Sequence, residues 1–301
     1  MGKIQEIRAV LKAPLKNSER SSHPPSVFKE DSNDLEFCEM VRKAQEYIRK
    51  GDAFQIVLSR TFSCPYPGKP FEIYRALRMT NPSPFMFYME TGEFAIAGSS
   101  PERLIKAERR KLQTMPIAGS RPRNAEDEGK MIEDLLKDPK ENAEHMMLVD
   151  LGRNDLGVVA EVGTVCVKTL KKLRIFPHII HLVSEIEATL AKEFDELDAF
   201  KAVFPAGTLS GAPKIRAMQI IDEIETSRRG LYGGAICTID HRGDLDSCIA
   251  IRTAFIQGGT VFVRAGGGIV LDSDPQKEAE ETRAKAKGVI KAVHLAMAGI
   301  L

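Results

Sequence analysis

This sequence lacks several features, and each absence excludes a class of protein or partner. No apolar run reaches the ~18 residues of a membrane-spanning helix, and the first ten residues lack the apolar segment of a signal peptide. Lysine and arginine total 43 against 42 aspartates and glutamates, which gives a formal net charge of +1. This balance provides no general attraction to nucleic acid or to acidic membranes. We therefore expect neither a nucleic acid nor a membrane as partner.

Paired cysteines are also absent. The chain has five cysteines, and none of them stands in a C-x-x-C spacing. An odd, scattered set excludes a regular disulfide framework and a zinc site built from cysteine pairs. Reduced thiols of this kind are typical of the cytoplasm, so we expect a cytoplasmic protein. The GxxxxGK[ST] spacing of a phosphate-binding P-loop is missing too.

The chain divides by composition near residue 35. Residues 13–35 are polar and rich in serine and proline, which is typical of a flexible linker. A short amphipathic piece, residues 4–11, precedes the linker and resembles the remnant of a preceding segment. The whole chain is 43% hydrophobic, which is ordinary for a globular protein, and residues 36–301 are predicted to form one globular domain.

Hydrophobic periodicity predicts alternating groups of helices and strands over residues 36–301. Helical spacing is found over residues 36–50, 71–81, 126–137, 139–151, 197–204, 215–224 and 275–298. Strand alternation is found over residues 54–62, 85–89, 94–98, 104–107, 111–116, 158–170, 179–189, 232–240, 246–257 and 260–270. Because runs of strands with hairpin turns are separated by helices, the pattern predicts an α+β fold.

One loop combines several unusual residues. The run 204–214 holds two glycines, two prolines, a threonine and a serine, directly before the predicted helix 215–224. Backbone N–H groups at a helix start can bind an anion. The same composition also suits a loop that merely begins a helix, and this pattern alone does not separate the two readings.

Two predicted helices carry glutamates three residues apart, which places both carboxylates of a pair on one helix face. The pairs are Glu141 with Glu144 and Glu278 with Glu281. Like charges at this spacing repel, and a hard divalent cation such as Mg²⁺ would offset the repulsion. A solvated helix face is the alternative reading of each pair taken alone.

Ten segments in order resemble the chorismate-utilising enzymes, and most closely the anthranilate synthase component I members of that family. The resemblance covers about residues 36–298. The matching segments are residues 51–60, 81–87, 98–102, 116–123, 144–155, 181–184, 204–214, 229–234, 248–253 and 266–270. Each is weak by itself, but ten in the order of the family are highly specific.

The resemblance implies a fold and a metal. The fold would consist of layered antiparallel β-sheets packed together and flanked by helices, in the order α/β/β/α. The metal would be Mg²⁺, which holds the ring carboxylate of chorismate in this family. The resemblance assigns Glu144 and Glu281 as ligands, with Glu141 and Glu278 acting through water.

The resemblance also implies a substrate site. Arg252 and Tyr232 would bind the enolpyruvyl carboxylate, aided by backbone N–H groups near Gly266 and Gly268. A surface position on the predicted strand 246–257 is the alternative for Arg252. The remaining implied substrate-binding residues are Gly119, Ser120, Thr208 and Lys285.

Two further residues receive catalytic roles from the resemblance. Glu102 resembles the general acid that protonates the departing C4 hydroxyl, a task that needs a raised pKa. His181 resembles the group that assists elimination of pyruvate. A lone histidine on an apolar strand is otherwise more often a core residue, and His178, which matches no motif, is expected to be structural.

Two positions indicate which nucleophile is used. Relatives that add water carry a lysine base where this chain has Gln55, and a glutamine cannot deprotonate water. Relatives that place the amine at C4 carry a nucleophilic lysine where this chain has Ala118. Both positions favour a lyase that adds ammonia at C2 and makes anthranilate, the first step of tryptophan biosynthesis. The alternatives are a synthase that stops at 2-amino-2-deoxyisochorismate and a truncated, inactive chorismate-binding fragment.

The resemblance finally implies partners and one departure. Ammonia would come from a glutamine amidotransferase subunit, called component II. Full members of the family have a long N-terminal half before the matching region, so we expect weak or no feedback inhibition by tryptophan. We also expect an exposed sheet edge or apolar face that needs a partner, and a homo-oligomer is one such arrangement. Arg264 stands where the family usually has glutamine, which puts a cation beside the substrate loop.

Overall fold

The computed structural model describes residues 2–13, 22–122, 127–175 and 179–300. The helices of this part of the chain are α1 (Gly2–Lys12), α2 (Asp34–Arg49), α3 (Pro70–Thr80), α4 (Glu128–Lys137), α5 (Pro139–Gly157), α6 (Glu196–Val203), α7 (Gly207–Ser210), α8 (Lys214–Ile224) and α9 (Pro275–Met297). The strands are β1 (Lys29–Glu30), β2 (Gln55–Pro65), β3 (Phe85–Glu90), β4 (Phe94–Ser100), β5 (Arg103–Glu108), β6 (Lys111–Thr114), β7 (Ile117–Pro122), β8 (Cys166–Ile175), β9 (Ile179–Thr189), β10 (Gly211–Ala212), β11 (Ala235–Ile239), β12 (Leu245–Ile249), β13 (Thr253–Gln257) and β14 (Thr260–Ile269).

The strands form two antiparallel sheets. The first sheet has the order β1-β2-β14-β13-β4-β3, with β10 paired to β2 as well. The second sheet has the order β11-β12-β5-β6-β9-β7, with β8 also paired to β9. Helices flank both sheets, so the predicted α+β fold of layered antiparallel sheets is confirmed.

The first sheet buries one face under α3 and α9. Along β14 the odd-numbered residues Val261, Val263 and Ala265 lie in this core. They pack with Val289 and Val293 of α9, all at most 5% exposed. Fully burying a valine side chain contributes about 1.5–3 kcal/mol. This apolar contact holds α9, which carries Glu278, Glu281 and Lys285, against the sheet.

The second sheet packs against α5, α6 and α7. Leu112 and Ile186 of the sheet are fully buried beside Leu156 of α5 and Val203 of α6. Leu209 of α7 belongs to the same core. The helix that carries Glu141 and Glu144 is therefore fixed to the second sheet, whereas the helix that carries Glu278 and Glu281 is fixed to the first.

The long helices α2 and α9 begin with side-chain caps. The Asn33 side chain accepts hydrogen bonds from the backbone N–H groups of residues 35 and 36, and the Glu36 carboxylate accepts one from the backbone N–H of Asn33. Asp274 caps α9 in the same way, and Pro275 occupies the first turn. Each such cap contributes about 1 kcal/mol. The start of α9, and with it the position of Glu278, is thus determined by local sequence.

Two predicted strands are wrong. The predicted strand 246–257 consists of β12 in the second sheet and β13 in the first, and Arg252 lies at the crossing with a φ of 52°. The region 158–170 was expected to be one strand, but α5 extends to Gly157 and β8 begins only at Cys166. In both cases the apolar alternation is real, but periodicity carries no information on where a chain leaves its sheet.

Part of the region before residue 36 is attached to the first sheet. Lys29 and Glu30 of β1 pair with Ser63 and Phe62 of β2. The division of the chain at residue 35 remains a prediction. Among the helices described here, none is long and apolar enough to cross a membrane.

Candidate functional site

The loop 204–214 connects α6 to α8 and lies against β2. Gly211 has a φ of 133°, and a Cβ at this position would lie 2.1 Å from the backbone oxygen of Gln55. Only glycine fits so close a backbone approach. Thr208 of α7 donates a hydrogen bond of 2.9 Å to Oε1 of Glu102. The loop therefore brings a hydroxyl group to the predicted acid.

Glu102 lies between β4 and β5, where its carboxyl group is enclosed. Burial raises its pKa to about 7, although the Thr208 hydrogen bond and the charge of Lys285 act in the opposite direction. A carboxyl group with this pKa is still substantially protonated near neutral pH. A raised pKa is the property that a general acid requires, and the role of Glu102 as that acid stays a prediction.

Gln55 begins β2 and is only 2% exposed. Its Nε2 donates a 3.2 Å hydrogen bond to Oε1 of Glu144. Since a carboxylate accepts only from the NH₂ end of an amide, this contact determines the orientation of the side chain. The carbonyl oxygen of Gln55 points elsewhere, and it is buried without a hydrogen-bond partner among the described residues.

The glycines of β14 make room for these side chains. A Cβ at Gly268 would lie 2.2 Å from Nε2 of Gln55, and one at Gly267 would lie 2.9 Å from Oε2 of Glu278. Cβ atoms essentially never approach other atoms so closely. A side chain at Gly267 or Gly268 would therefore displace the end of Glu278 or of Gln55 from its present position.

The acidic pairs face the same region from two helices. Burial raises the pKa of Glu144, and the charges of Glu141 and Glu281 add to the effect. Glu278 is 8% exposed, and its pKa is raised by burial and by the neighbouring Glu281. Each pair thus senses the charge of other carboxylates, as the sequence spacing indicated.

The carboxylates of the two glutamate pairs do not converge on one point. Within the four described ranges, no three acidic, histidine or cysteine side chains lie close enough together to hold a metal ion. Lys285 Nζ instead pairs with Oε1 of Glu281 at 2.6 Å. The oxygen donors that Mg²⁺ prefers are present, but they would have to move toward one another to surround an ion.

The cationic side of the site is formed by Arg252 and Lys285. Arg252 is half-buried, burial lowers its pKa, and its Nη1 donates to the backbone oxygen of Lys285. Lys285 Nζ donates to the Gly266 oxygen at 3.0 Å. The chain passes from the second sheet to the first at Arg252, and the sequence did not predict this crossing. Because of it, Arg252 does not lie on a strand surface, and its side chain enters the space between α9 and β14.

Tyr232 is the third residue on the cationic side of the site. Its hydroxyl would lie 2.9 Å from a Cβ at Gly266, so the absence of that carbon lets the ring approach the strand. Burial raises the pKa of Tyr232 to about 12, which keeps the hydroxyl protonated and able to donate. A protonated phenol beside two cations is suited to binding a carboxylate.

Three predicted residues lie on the second sheet. His181 of β9 is opposite Ser120 of β7, and the register shifts between Ala118 and Ser120, next to Gly119. The side chains of residues 118–122 are outside the described part of the chain, as is all of His178. The roles given to His181, Gly119 and Ser120 stay predictions.

A buried ion cluster escaped the sequence reasoning. The side chain of Glu225 is 4% exposed and pairs with Arg229 at 2.7 Å and with Arg264 at 2.8 Å. Arg229 opens the segment 229–234 that carried the resemblance, and Arg264 was noted as a departure from the family. No sequence pattern distinguishes Glu225, because it resembles any acidic residue at the end of an amphipathic helix.

A comparison with protein-family models decides the family. The model for chorismate binding enzymes matches residues 2–291. The chain belongs to the chorismate binding enzyme family. The resemblance based on ten segments is thereby confirmed, and the family match begins before residue 36.

Other members of the chorismate binding enzyme family give a consistent result. Anthranilate synthase component 1 of Aquifex aeolicus is 49% identical over 263 residues, which cover 87% of this chain and 53% of that protein. The corresponding protein of Geobacillus stearothermophilus is 49% identical over 94% of this chain and 57% of its own length. This chain therefore spans about half the length of the curated relatives that it matches.

Solved structures agree in fold. Anthranilate synthase component I from Streptococcus pneumoniae superposes with a TM-score of 0.89 at 42% identity, covering 96% of this chain and 65% of that one. A putative 2,3-dihydroxybenzoate-specific isochorismate synthase from Bacillus anthracis gives a TM-score of 0.79 at 26% identity, covering 92% of this chain and 76% of that one. The fold is thus shared within the chorismate binding enzyme family, and side chains must decide the reaction.

Proposed function

We propose that this chain catalyses the Mg²⁺-dependent conversion of chorismate and ammonia into anthranilate, pyruvate and water, the first step of tryptophan biosynthesis. The observation that carries the proposal is Gln55. An amide, held by Glu144 and buried in the site, occupies the position where water-adding relatives have a lysine. The names of the relatives, anthranilate synthase component 1, support the same reaction.

Substrate binding is proposed to use the cationic side of the site. Chorismate carries two carboxylates, and Arg252 and Tyr232 would bind the one on the enolpyruvyl arm. Lys285 lies between Gly266 and Glu281 and adds a positive charge beside the ring. A half-buried guanidinium and a protonated phenol donate strong, directional hydrogen bonds to a carboxylate. Thr208 and the backbone near Gly119 and Ser120 are proposed to position the ring.

A magnesium ion fits the chemistry of the acidic pairs. Glu144 and Glu278 are buried carboxylates whose pKa is raised by burial and by neighbouring glutamates, so a divalent cation would relieve an unfavourable arrangement. Glu144 and Glu281 would be the direct ligands, with Glu141 and Glu278 reached through water. When bound, Mg²⁺ would neutralise the ring carboxylate and fix its orientation. The carboxylates of α5 and α9 must converge for this to occur.

We propose that ammonia, the nucleophile, binds beside Gln55. The carbonyl oxygen of Gln55 is buried and has no hydrogen-bond partner in the part of the chain that the structure describes, so it can accept a hydrogen bond from ammonia beside C2. As the nitrogen lone pair forms the bond to C2, positive charge develops on nitrogen, and a carbonyl oxygen stabilises that charge. A lysine in this place would repel it. Gln55 has no proton to exchange at neutral pH, so it cannot activate water.

Departure of the C4 hydroxyl is proposed to use Glu102. With a pKa of about 7, this carboxyl group holds a proton that it can transfer to the hydroxyl oxygen. The C4–O bond then breaks, the ring double bond shifts, and water is released. Thr208 holds Oε1 of Glu102 and so leaves Oε2 to carry the proton. The conjugate base of Glu102 must regain a proton before the next turnover.

Loss of pyruvate requires removal of the C2 proton. We propose that His181 assists this step, since imidazole exchanges protons near neutral pH. The bond from the ring to the enolpyruvyl oxygen breaks as the C2–H electrons complete the aromatic ring. The released enolate takes up a proton and becomes pyruvate. His181 lies on β9 opposite Ser120, on the second sheet.

A fluorescence assay tests the proposed function. Purified chain is mixed with chorismate, MgCl₂ and ammonium salt at pH 8, and anthranilate fluorescence and pyruvate are measured together. We expect equal amounts of both products, dependent on magnesium and on ammonium. Omission of each component in turn provides the controls.

The same assay separates the alternatives. An aminated product formed without pyruvate would identify a 2-amino-2-deoxyisochorismate synthase. Isochorismate in place of either amine would contradict the role of Gln55. No consumption of chorismate, with chorismate still bound in a calorimetric titration, would identify a binding fragment without turnover.

A glutamine amidotransferase subunit is proposed as the source of ammonia. The support is indirect: the matched relatives are named as component 1, a designation that implies a second component. Turnover with glutamine should require that subunit, whereas turnover with ammonium should not. Glutamine-dependent activity of the isolated chain would contradict this proposal.

A further inference from the structure

The Glu225 cluster is unusually rich in hydrogen bonds. The carboxylate accepts from Ser59 N and Oγ at 2.8 Å, from Arg229 Nε at 2.9 Å and Nη2 at 2.7 Å, and from Arg264 Nη2 at 2.8 Å. Five charge-assisted bonds satisfy both carboxylate oxygens. The carboxylate of Glu225 therefore joins β2, β14 and the segment after α8 at one point.

The charges of the cluster do not cancel. Among Glu225, Arg229 and Arg264, one carboxylate faces two guanidinium groups, which leaves one positive charge in excess. The next carboxylate is that of Asp31, which accepts at 2.6 Å from the Ser227 hydroxyl group that Arg264 contacts. The side chain of Arg264 is only 5% exposed. Its remaining donors are occupied by Ser59 Oγ at 2.8 Å, Ser227 Oγ at 2.8 Å and the Arg228 oxygen at 2.9 Å. An Arg229–Glu225 pair alone would be neutral, so Arg264 is the source of the excess charge.

The cluster is coupled to the substrate side of the site through Arg229. The guanidinium carbon of Arg229 lies 5.7 Å from the centre of the Tyr232 ring. The same group donates to the backbone oxygens of Leu209 in α7 and of Val57 in β2. Leu209 follows Thr208, the residue that holds Glu102. One side chain thus fixes the ring of Tyr232 and the short helix of the opening loop.

Arg264 is coupled to the same region by register. Its partner Ser59 is directly opposite Gly266, and Gly266 is the residue against which the Tyr232 hydroxyl packs. Arg264 and Gly266 lie on one face of β14, since side chains alternate along a strand. Arg229, Tyr232 and Arg264 also border one cavity of about 410 Å³.

We propose that Arg264 is a positioning residue for substrate binding, acting through the Glu225–Arg229 pair on Tyr232. Its charge makes the surroundings of Tyr232 positive and favours a carboxylate on the hydroxyl side of that ring. The proposal rests on the proposed function, because it takes the enolpyruvyl carboxylate of chorismate as the anion at Tyr232. It extends that function because it gives Arg264, which stands where the family usually has glutamine, a role in the affinity for chorismate.

Three variants test the proposal. Arg264→Gln removes the charge but keeps an amide donor, Arg264→Lys keeps the charge, and Arg75→Gln removes an arginine from a surface pair with Glu72 on α3. We expect Arg264→Gln to raise the chorismate KM roughly 3–20-fold, from one unit charge acting across a partly screened interior. The ammonium KM should change by less than about twofold. Arg264→Lys should recover most of the loss, and Arg75→Gln should match the parent chain.

Unfolding temperature is measured for each variant to separate charge from structure. If the chorismate KM of Arg264→Gln equals that of the parent chain, the proposal is overturned. It is also overturned if Arg264→Lys fails as badly as Arg264→Gln, because a purely structural role would give that result. Should the parent chain make no anthranilate, the dissociation constant of chorismate is measured calorimetrically in the same variants. A loss of affinity there would support Arg264 even though the proposed function had failed.

Discussion

The two faces of β14 differ in the side chains that they meet. Val261, Val263 and Ala265 point into the apolar core under α3 and α9. The alternate residues Arg264, Gly266 and Gly268 point toward the ion cluster, Tyr232 and Gln55. Over residues 261–266 this strand thus separates an apolar core from a polar site, whereas Gly267, on the same face as the core residues, lies beside Glu278 and Glu281.

The difference shows which face constrains the sequence more tightly. An apolar core accepts many side chains of similar volume. The site face does not, because the spaces beside Gly266 and Gly268 are taken by the Tyr232 hydroxyl and the Gln55 amide, 2.9 and 2.2 Å from the missing carbons. Substitutions on the site side should therefore affect turnover, and substitutions on the core side should affect stability.

The largest effect on turnover is expected for Glu102→Gln. The variant keeps the shape of the side chain and the Thr208 hydrogen bond but has no proton to give to the departing hydroxyl. Loss of a general acid lowers kcat by roughly 10²–10⁴-fold, and the chorismate KM should change little. Steady-state kinetics with ammonium measure both constants. Turnover close to that of the parent chain would assign the acid role to another group.

The pH dependence of the parent chain provides a second test of Glu102. An acid with a pKa of about 7 is active only while protonated. Measured kcat/KM for chorismate, at a fixed concentration of uncharged NH3, should therefore fall about tenfold per pH unit above neutrality. A rate that stays level from pH 7 to pH 9 would contradict the assignment.

The same group links pH to stability. Its pKa is raised from 4.5 to about 7 on folding, so the folded chain binds this proton more tightly than the unfolded chain does. The free energy of unfolding that Glu102 contributes is thus complete at acidic pH and is lost as pH rises through about 7. Glu102→Gln should lack this loss. Denaturant unfolding of both proteins at pH 5 and pH 8 would show the difference.

Much of this site was visible in the sequence, and the reasons for the exceptions are physical. Alternation along residues 260–270 predicted β14, and the spacing of Glu278 and Glu281 predicted their shared helix face. The crossing at Arg252 was not predicted, since β12 and β13 continue one apolar alternation while belonging to different sheets. The role of Glu225 was not predicted either. Its partner Ser59 lies 166 positions away, and no local pattern carries such a contact.

A smaller but specific effect is expected for Gly268→Ala. The new methyl group would overlap Nε2 of Gln55, so the amide must leave its hydrogen bond to Glu144. We expect kcat/KM for ammonium to fall by roughly tenfold or more, since displacement of a positioning group by about 1 Å can cost 10²-fold. Gly92→Ala is the matched control, because a Cβ there would meet no atom within 4 Å. Equal losses in both variants would show that backbone stiffening, not the Gln55 contact, is responsible.

The smallest effect on turnover is expected for Val263→Ala, on the other face of the same strand. Val263 is 1% exposed and packs in the core under α3 and α9, so its truncation should lower the free energy of unfolding by about 1–3 kcal/mol. At a temperature where the variant remains folded, kcat should stay within about twofold of the parent value, since no site residue loses a contact. Urea unfolding and steady-state kinetics measure the two quantities on one preparation. A large loss of kcat in the folded variant would mean that packing under α9 sets the position of Glu278 and Glu281, and that the two faces of β14 do not act independently.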